Sequence, residues 1–150
     1  MKDDIGQAAE RFIELMSRLR CLASENPPPQ AAGMSPSLMA IIDFVASSPN
    51  CGVKEIARGL KLSPPTISVS VRHLEEVGVI DRQPNPNDRR AVQIFLTPKG
   101  QEIYDKTYAF RRQKFEKLLL GLTLEEREVL LSLMEKALHQ TELEIPHLSI

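Results

Sequence analysis

The chain has 150 residues, a net charge of −1 and 42% hydrophobic side chains. That is enough to bury a real core, and one domain with helical extensions is the simplest parse. No apolar run approaches the ~20 residues of a membrane span and no signal peptide is evident, so a cytoplasmic chain without a membrane partner is expected. A Gly-rich phosphate loop, H-E-x-x-H and C-x-x-C are missing from the sequence, so neither an enzyme nor a cofactor is expected. The charge is uneven. Residues 51–100 hold eight Lys/Arg against five Asp/Glu, a net +3, between flanks of −2 each, which fits a nucleic-acid-facing centre on a body that faces something else.

In chain order, residues 5–22 read as an amphipathic helix, with Ile5, Ala9, Phe12, Met16 and Leu19 in a near-heptad stripe widened by Ala8, Leu15 and Leu22. Three consecutive prolines within 26–34 must break it. A second helix over 35–47 buries Leu38, Ile41, Ile42 and Val45. A short third, over 53–60, places Ile56, Ala57 and Leu60 on one face. Leu62 and Ser63 then form a turn. Ser63 suits an N-cap and Pro64 the first helical position, where no donor is needed. The fourth helix turns Ile67, Val71 and Leu74 inward, and Gly78 stops it. Its opposite face presents Pro65, Val69, Arg72 and Glu76, flanked by Thr66, Ser68 and His73. Such a small, hydroxylated face near a helix N-terminus is what entry into the major groove requires.

Residues 79–83 and 90–96 read as a two-stranded ribbon, with Val92, Ile94 and Leu96 alternating with Ala91, Gln93 and Phe95. Pro84, Asn85, Pro86 and Asn87 between them read as connection rather than strand. Beyond that stand Asp88, Arg89 and Arg90, where a carboxylate two residues before an arginine can orient its guanidinium for a narrow minor groove. Taken alone, the same residues read equally well as an exposed charged loop. After the ribbon, Thr97 and Pro98 open a long helix bearing Ile103, Tyr104, Tyr108, Phe115, Leu118 and Leu119, ended by Gly121. Thr123 and Glu126 form a capping box for a last helix with Leu130, Leu133, Met134, Ala137 and Leu138. These arms carry more apolar surface than a 50-residue lobe can cover, which argues for burial against a second copy.

Helix, turn, helix and ribbon in this order make a winged helix-turn-helix. Residues 53–100 resemble the DNA-binding lobe of the MarR (multiple antibiotic resistance regulator) family. The pieces that carry the likeness are E-I-A-x-x-L at 55–60, S-x-x-T-x-S at 63–68, L-E-x-x-G at 74–78, D-R-R at 88–90 and L-T-x-x-G at 96–100. The order of elements is similar over essentially the whole chain. The resemblance implies that Asp88 and Arg90 belong to the wing motif, with Arg90 in the minor groove. It also implies a small aromatic or phenolic effector in the cleft between the lobe and the arms. Many relatives carry arginine where this chain has Val69, which could touch a thymine methyl but cannot chelate guanine.

The expected molecule is mainly α, with a winged helix-turn-helix lobe over 35–100 and dimerisation helices over 1–34 and 101–150 of a single domain. It acts as a homodimeric repressor on a pseudo-palindromic double-stranded DNA operator. Ser63, Pro65, Thr66, Ser68, Val69 and Arg72 face the major groove or its phosphates, Arg89 and Arg90 the minor groove, and Asp88 orients. Two other readings stay open: a winged-helix protein-interaction module without DNA binding, and a thiol-oxidation switch through Cys21, since some MarR-like regulators sense peroxide through a cysteine in that arm. Only Arg18 and Arg20 stand near Cys21 in sequence to lower its pKa. His73, His139 and His147 are too dispersed for a metal site.

Overall fold

The structure, a computed structural model, describes residues 2–24 and 26–144; His147 lies outside them. The order is α1 (Lys2–Ser24), a 3-10 turn (Pro29–Ala31), α2 (Pro36–Ser47), α3 (Val53–Leu60), α4 (Pro64–Glu76), β1 (Ile80–Asn85), β2 (Asp88–Leu96), α5 (Pro98–Leu119) and α6 (Leu124–Glu144). This is the mainly helical, winged architecture read from the sequence.

One local device starts three of the helices. Ser35, Ser63 and Thr97 each precede a proline, and each side-chain oxygen accepts from the amide three residues on: Leu38 at 3.2 Å, Thr66 at 3.3 Å and Gly100 at 3.1 Å. The cap satisfies an orphan donor, while proline at the next position has none to waste. The capping box at Thr123 and Glu126 also forms, with bonds of 2.8 and 3.2 Å. α4 ends in a Schellman turn. Gly78 takes φ +76, its N–H reaches the Glu75 carbonyl at 3.0 Å, and Val79 N–H reaches Leu74 at 2.8 Å. The turn from α3 to α4 is one residue longer than expected because Lys61 occupies the left-handed region at φ 54.

The core gathers Ile41, Ile42 and Val45 of α2, Ile56 of α3, Ile67, Val71 and Leu74 of α4, Val79, Ile80 and Ile94 around the ribbon, and Ile103 of α5, none more than 6% exposed. Cys51 belongs to this core, and its carbonyl accepts from Ile94 N–H at 2.9 Å, joining the segment before α3 to β2. The arms differ. Ile5 is 71% exposed on α1, Leu118 47% on α5, and Leu124 and Leu138 71% and 61% on α6. Much of the apolar surface expected in the arms faces solvent within one chain, above all on α6, whereas Ile103 of α5 is buried in the core.

Two expectations about the ribbon need correction. Pro84 and Asn85 are strand rather than connection, so the turn shrinks to Pro86 and Asn87. A two-stranded ribbon consists of edges alone, and an edge tolerates a proline that has no N–H to give. The expected alternation also fails at Val92, which is 48% exposed while Ile94 is buried, because that end of the ribbon projects past the core.

Candidate nucleic-acid interface

α4 is anchored from beneath by Ile67, Val71 and Leu74, all at 0% exposure. The 3.6-residue period then leaves the other face to solvent. Ser63, Pro65, Thr66, Val69, Arg72, His73 and Glu76 are exposed, Val69 at 67%, and Ser68 is half-buried. The Ser63 and Thr66 hydroxyls lie 2.7 Å apart, so the cap fixes both while each oxygen keeps further bonding capacity. The residues singled out on this helix are therefore presented on one exposed surface that runs along it from the N-cap to Glu76, except the partly shielded Ser68.

At the ribbon tip, Pro84 pairs with Val92 but Asn85 pairs with Asp88. Arg89, Arg90 and Ala91 therefore bulge out of the ladder on β2, and a bulge re-aims the side chains it carries. Both arginines are exposed. Asp88 is tied to Arg90, but differently from the expectation: its Oδ1 accepts from the Arg90 backbone N–H at 3.0 Å, so it holds the main chain of the bulge rather than the guanidinium. A carboxylate beside its own chain finds the amide two residues on more readily than the end of a long, free side chain. Asn85 does the same for the Asn87 amide at 2.9 Å.

Sequence reasoning missed the ties between these two devices and the body. Arg82 of β1 lies 3.0 Å from Glu75 of α4, linking the ribbon's base to the recognition helix. At the end of α4, Lys99 Nζ donates to the Val77 carbonyl at 2.7 Å, Thr97 Oγ1 to Gly78 at 2.6 Å, and Thr97 N–H to Val79 at 3.0 Å. The start of α5 is thus bonded to the carbonyls of the segment that leaves α4, which ties the two helices to each other. Farther along α5, Arg111 clasps Asp43 of α2 through two bonds of 2.7 and 2.8 Å. Residues 68 apart in the chain carry no sequence signal of such a pairing.

Beside that pair, a cavity of about 810 Å³ opens among α1, the proline turn, α2 and α5, lined by Arg20, Pro28, Met34, Met39, Phe110 and Arg111 among others. Its size and mostly apolar walls suit a small organic molecule. Cys21, exposed, stands on its edge. Cys51 is buried, and burial pushes its thiol pKa up. Among the described residues no group of His, Cys, Asp and Glu is arranged to hold a metal ion, and no helix is long and apolar enough to cross a membrane.

The fold and the exposed helix-and-wing pair define a winged-helix DNA-binding protein. Residues 34–92 match the model of the MarR family. An uncharacterized HTH-type transcriptional regulator of Bacillus subtilis, YwhA, is 31% identical over 96 residues, which cover 64% of this chain and 69% of that protein. A MarR family protein from Bacillus stearothermophilus superposes with a TM-score of 0.80 at 18% identity, over 94% of this chain and 96% of the other. Bordetella bronchiseptica BpsR, whose DNA binding is regulated by 6-hydroxynicotinic acid, gives 0.67 at 18% identity over 87% and 98%. The chain belongs to the MarR family and is a transcriptional regulator with that family's DNA-binding fold.

Proposed function

We propose that the protein is a homodimeric repressor that occupies a pseudo-palindromic operator and leaves it when a small ligand enters the cleft between lobe and arms. The carrying observation is the pairing of an exposed α4 surface, bearing Pro65, Thr66, Val69 and Arg72, with a bulged wing tip bearing Arg89 and Arg90. The helix would enter the major groove, with Ser63 and Ser68 near phosphates, while Arg90 enters the minor groove and Asp88 keeps its backbone in place. Val69 at the centre of the outward face favours thymine methyl contact over guanine chelation.

Dimerisation is supported by the exposed leucines of α6 and the apolar stripe of α1, which one lobe leaves uncovered. A two-fold pair of recognition helices matches an inverted repeat. Ligand release is supported by the cavity beside Arg111 and by BpsR as a precedent for a small aromatic effector. Repression is favoured because occupying a promoter needs no further contact with polymerase.

Selection of bound duplexes from a random pool tests this reading. An enriched inverted repeat is the expected result. Enrichment of no sequence at any salt concentration would leave a protein-interaction module in its place.

A further inference from the structure

Of the outward-facing residues of α4, Pro65 and Val69 have no side-chain group that can hydrogen-bond. They stand four residues apart, one turn above the other, and form an apolar strip opposite the buried Ile67, Val71 and Leu74. Val69 is 67% exposed. Its branched Cβ lowers helix propensity, and in the free protein that cost is not offset by burial. The polar groups beside the strip are restrained. The Thr66 hydroxyl is held 2.7 Å from Ser63 Oγ, which also accepts from Thr66 N–H at 3.3 Å, and Ser68 is half-buried. Lys61 before the strip and Arg72 after it are exposed, and among the described residues neither has a carboxylate within ion-pair distance. An apolar strip between two exposed cations fits a partner that is apolar between two rows of negative charge. In the major groove of duplex DNA that apolar group is the methyl at pyrimidine C5, because the other groups that distinguish base pairs there are hydrogen-bond donors or acceptors.

We infer that Pro65 and Val69 form a reader of pyrimidine 5-methyl groups, which accepts 5-methylcytosine where it disfavours cytosine. An apolar side chain packs on the methyl and makes no bond to the O4 or N4 atom beside it, so thymine and 5-methylcytosine present the same contact. Cytosine and uracil leave that side chain against water. The rise between the two residues is about 6 Å, roughly two base steps, so both contacts fall within one half-site. The recognition surface thereby responds to a covalent mark on the operator without any change of base sequence. This inference rests on the DNA-binding reading above and extends it from Val69 and thymine to a paired contact that senses base methylation.

Fluorescence anisotropy of the intact protein on the duplex enriched from the random pool tests it. Each thymine of one half-site is replaced in turn by deoxyuridine, which removes only the methyl, and by 5-bromodeoxyuridine, which refills its volume. At two positions deoxyuridine should weaken binding about fourfold, as loss of one buried methyl-sized group does, and bromodeoxyuridine should restore it. Cytosine at either position should bind weakly, and methylating it at C5 should recover about fourfold. Val69→Ala should erase the preference for thymine over uracil at one of these positions and Pro65→Ala at the other. Both side chains are exposed, and circular dichroism checks that each variant keeps its helix content. An enriched half-site without thymine, equal affinity for thymine and uracil at every position, no gain from methylating cytosine, or preferences unchanged in either alanine variant would each overturn the reader while leaving a DNA-binding regulator. Failure to bind any duplex at low salt sinks the regulator reading, and the methyl reader with it.

Discussion

Gly100 lies over the Val79 carbonyl so closely that a Cβ at position 100 would sit 2.1 Å from the Val79 oxygen. The approach is what lets the first turn of α5 reach the end of α4, and it gives a physical reason for glycine in the L-T-x-x-G segment. Gly100→Ala should force the two backbones apart and destabilise the fold by about 2–3 kcal/mol, in the range of overpacked cores. Urea unfolding followed by circular dichroism measures this. An alanine variant within 0.5 kcal/mol of wild type would mean that the junction is soft.

Arg90→Ala should weaken operator binding by about 1–3 kcal/mol and leave the melting temperature unchanged, because its side chain is exposed on the bulge. Asp88→Ala should lose less affinity while increasing hydrogen exchange of the Arg90 amide, which loses its acceptor. Anisotropy titrations at one fixed salt concentration compare the two. Unchanged affinity in Arg90→Ala removes that residue from the interface.

Lys61 offers a stabilising change. It sits at φ 54, ψ 42, where a Cβ costs about 1–2 kcal/mol and glycine fits freely. Part of that gain returns as extra chain entropy in the unfolded state, so Lys61→Gly should stabilise by up to about 1 kcal/mol. Lys61→Val, branched at Cβ, should destabilise. Chemical denaturation of both variants reads the sign directly.

The two cysteines should react very differently. Burial holds the Cys51 thiol protonated and covered, whereas Cys21 is exposed. Iodoacetamide at mildly alkaline pH should label Cys21 first and Cys51 only on unfolding. The raised thiol pKa also means that, above the ordinary thiol range, the unfolded chain releases a proton the folded chain keeps, so this group lowers stability as pH rises. DNA binding should survive Cys21→Ser and mild peroxide. Reductant-reversible release by peroxide that vanishes in Cys21→Ser would instead establish an oxidation switch.

Assembly should follow from the arms. A dimer in light scattering at micromolar concentration is expected, with half-sites roughly 10 bp apart centre to centre. A chain ending before Arg111 loses α6 and the clasp to Asp43, and should be monomeric or insoluble. A monomeric mass for the intact chain would remove the two-fold mechanism even if DNA binding held.

Much of the fold is local chemistry, which is why it is legible in one dimension. Ser63-Pro64 and Thr97-Pro98 start helices, Gly78 stops one, and the spacing of Ile67, Val71 and Leu74 decides which face of α4 remains exposed. The candidate site was legible to the same extent, because Val69, Arg72 and the wing arginines follow from that phase and that turn. Pro84 looks like connection because turn propensity is local, whereas its place in the strand depends on that strand being an edge, where a missing donor is tolerated. Spacing brings Asp88 close to Arg90 but does not say which of two donors wins, and the backbone amide takes the bond. The helices, their N-caps and the glycine stop of α4 are set by interactions within a few residues of chain. That Arg82 meets Glu75, that Lys99 reaches the Val77 carbonyl and that Arg111 clasps Asp43 beside a cavity depends on how the elements pack. Charged side chains on separate helices have no periodicity that encodes a partner, so their pairing exists only once packing has fixed the distance between them.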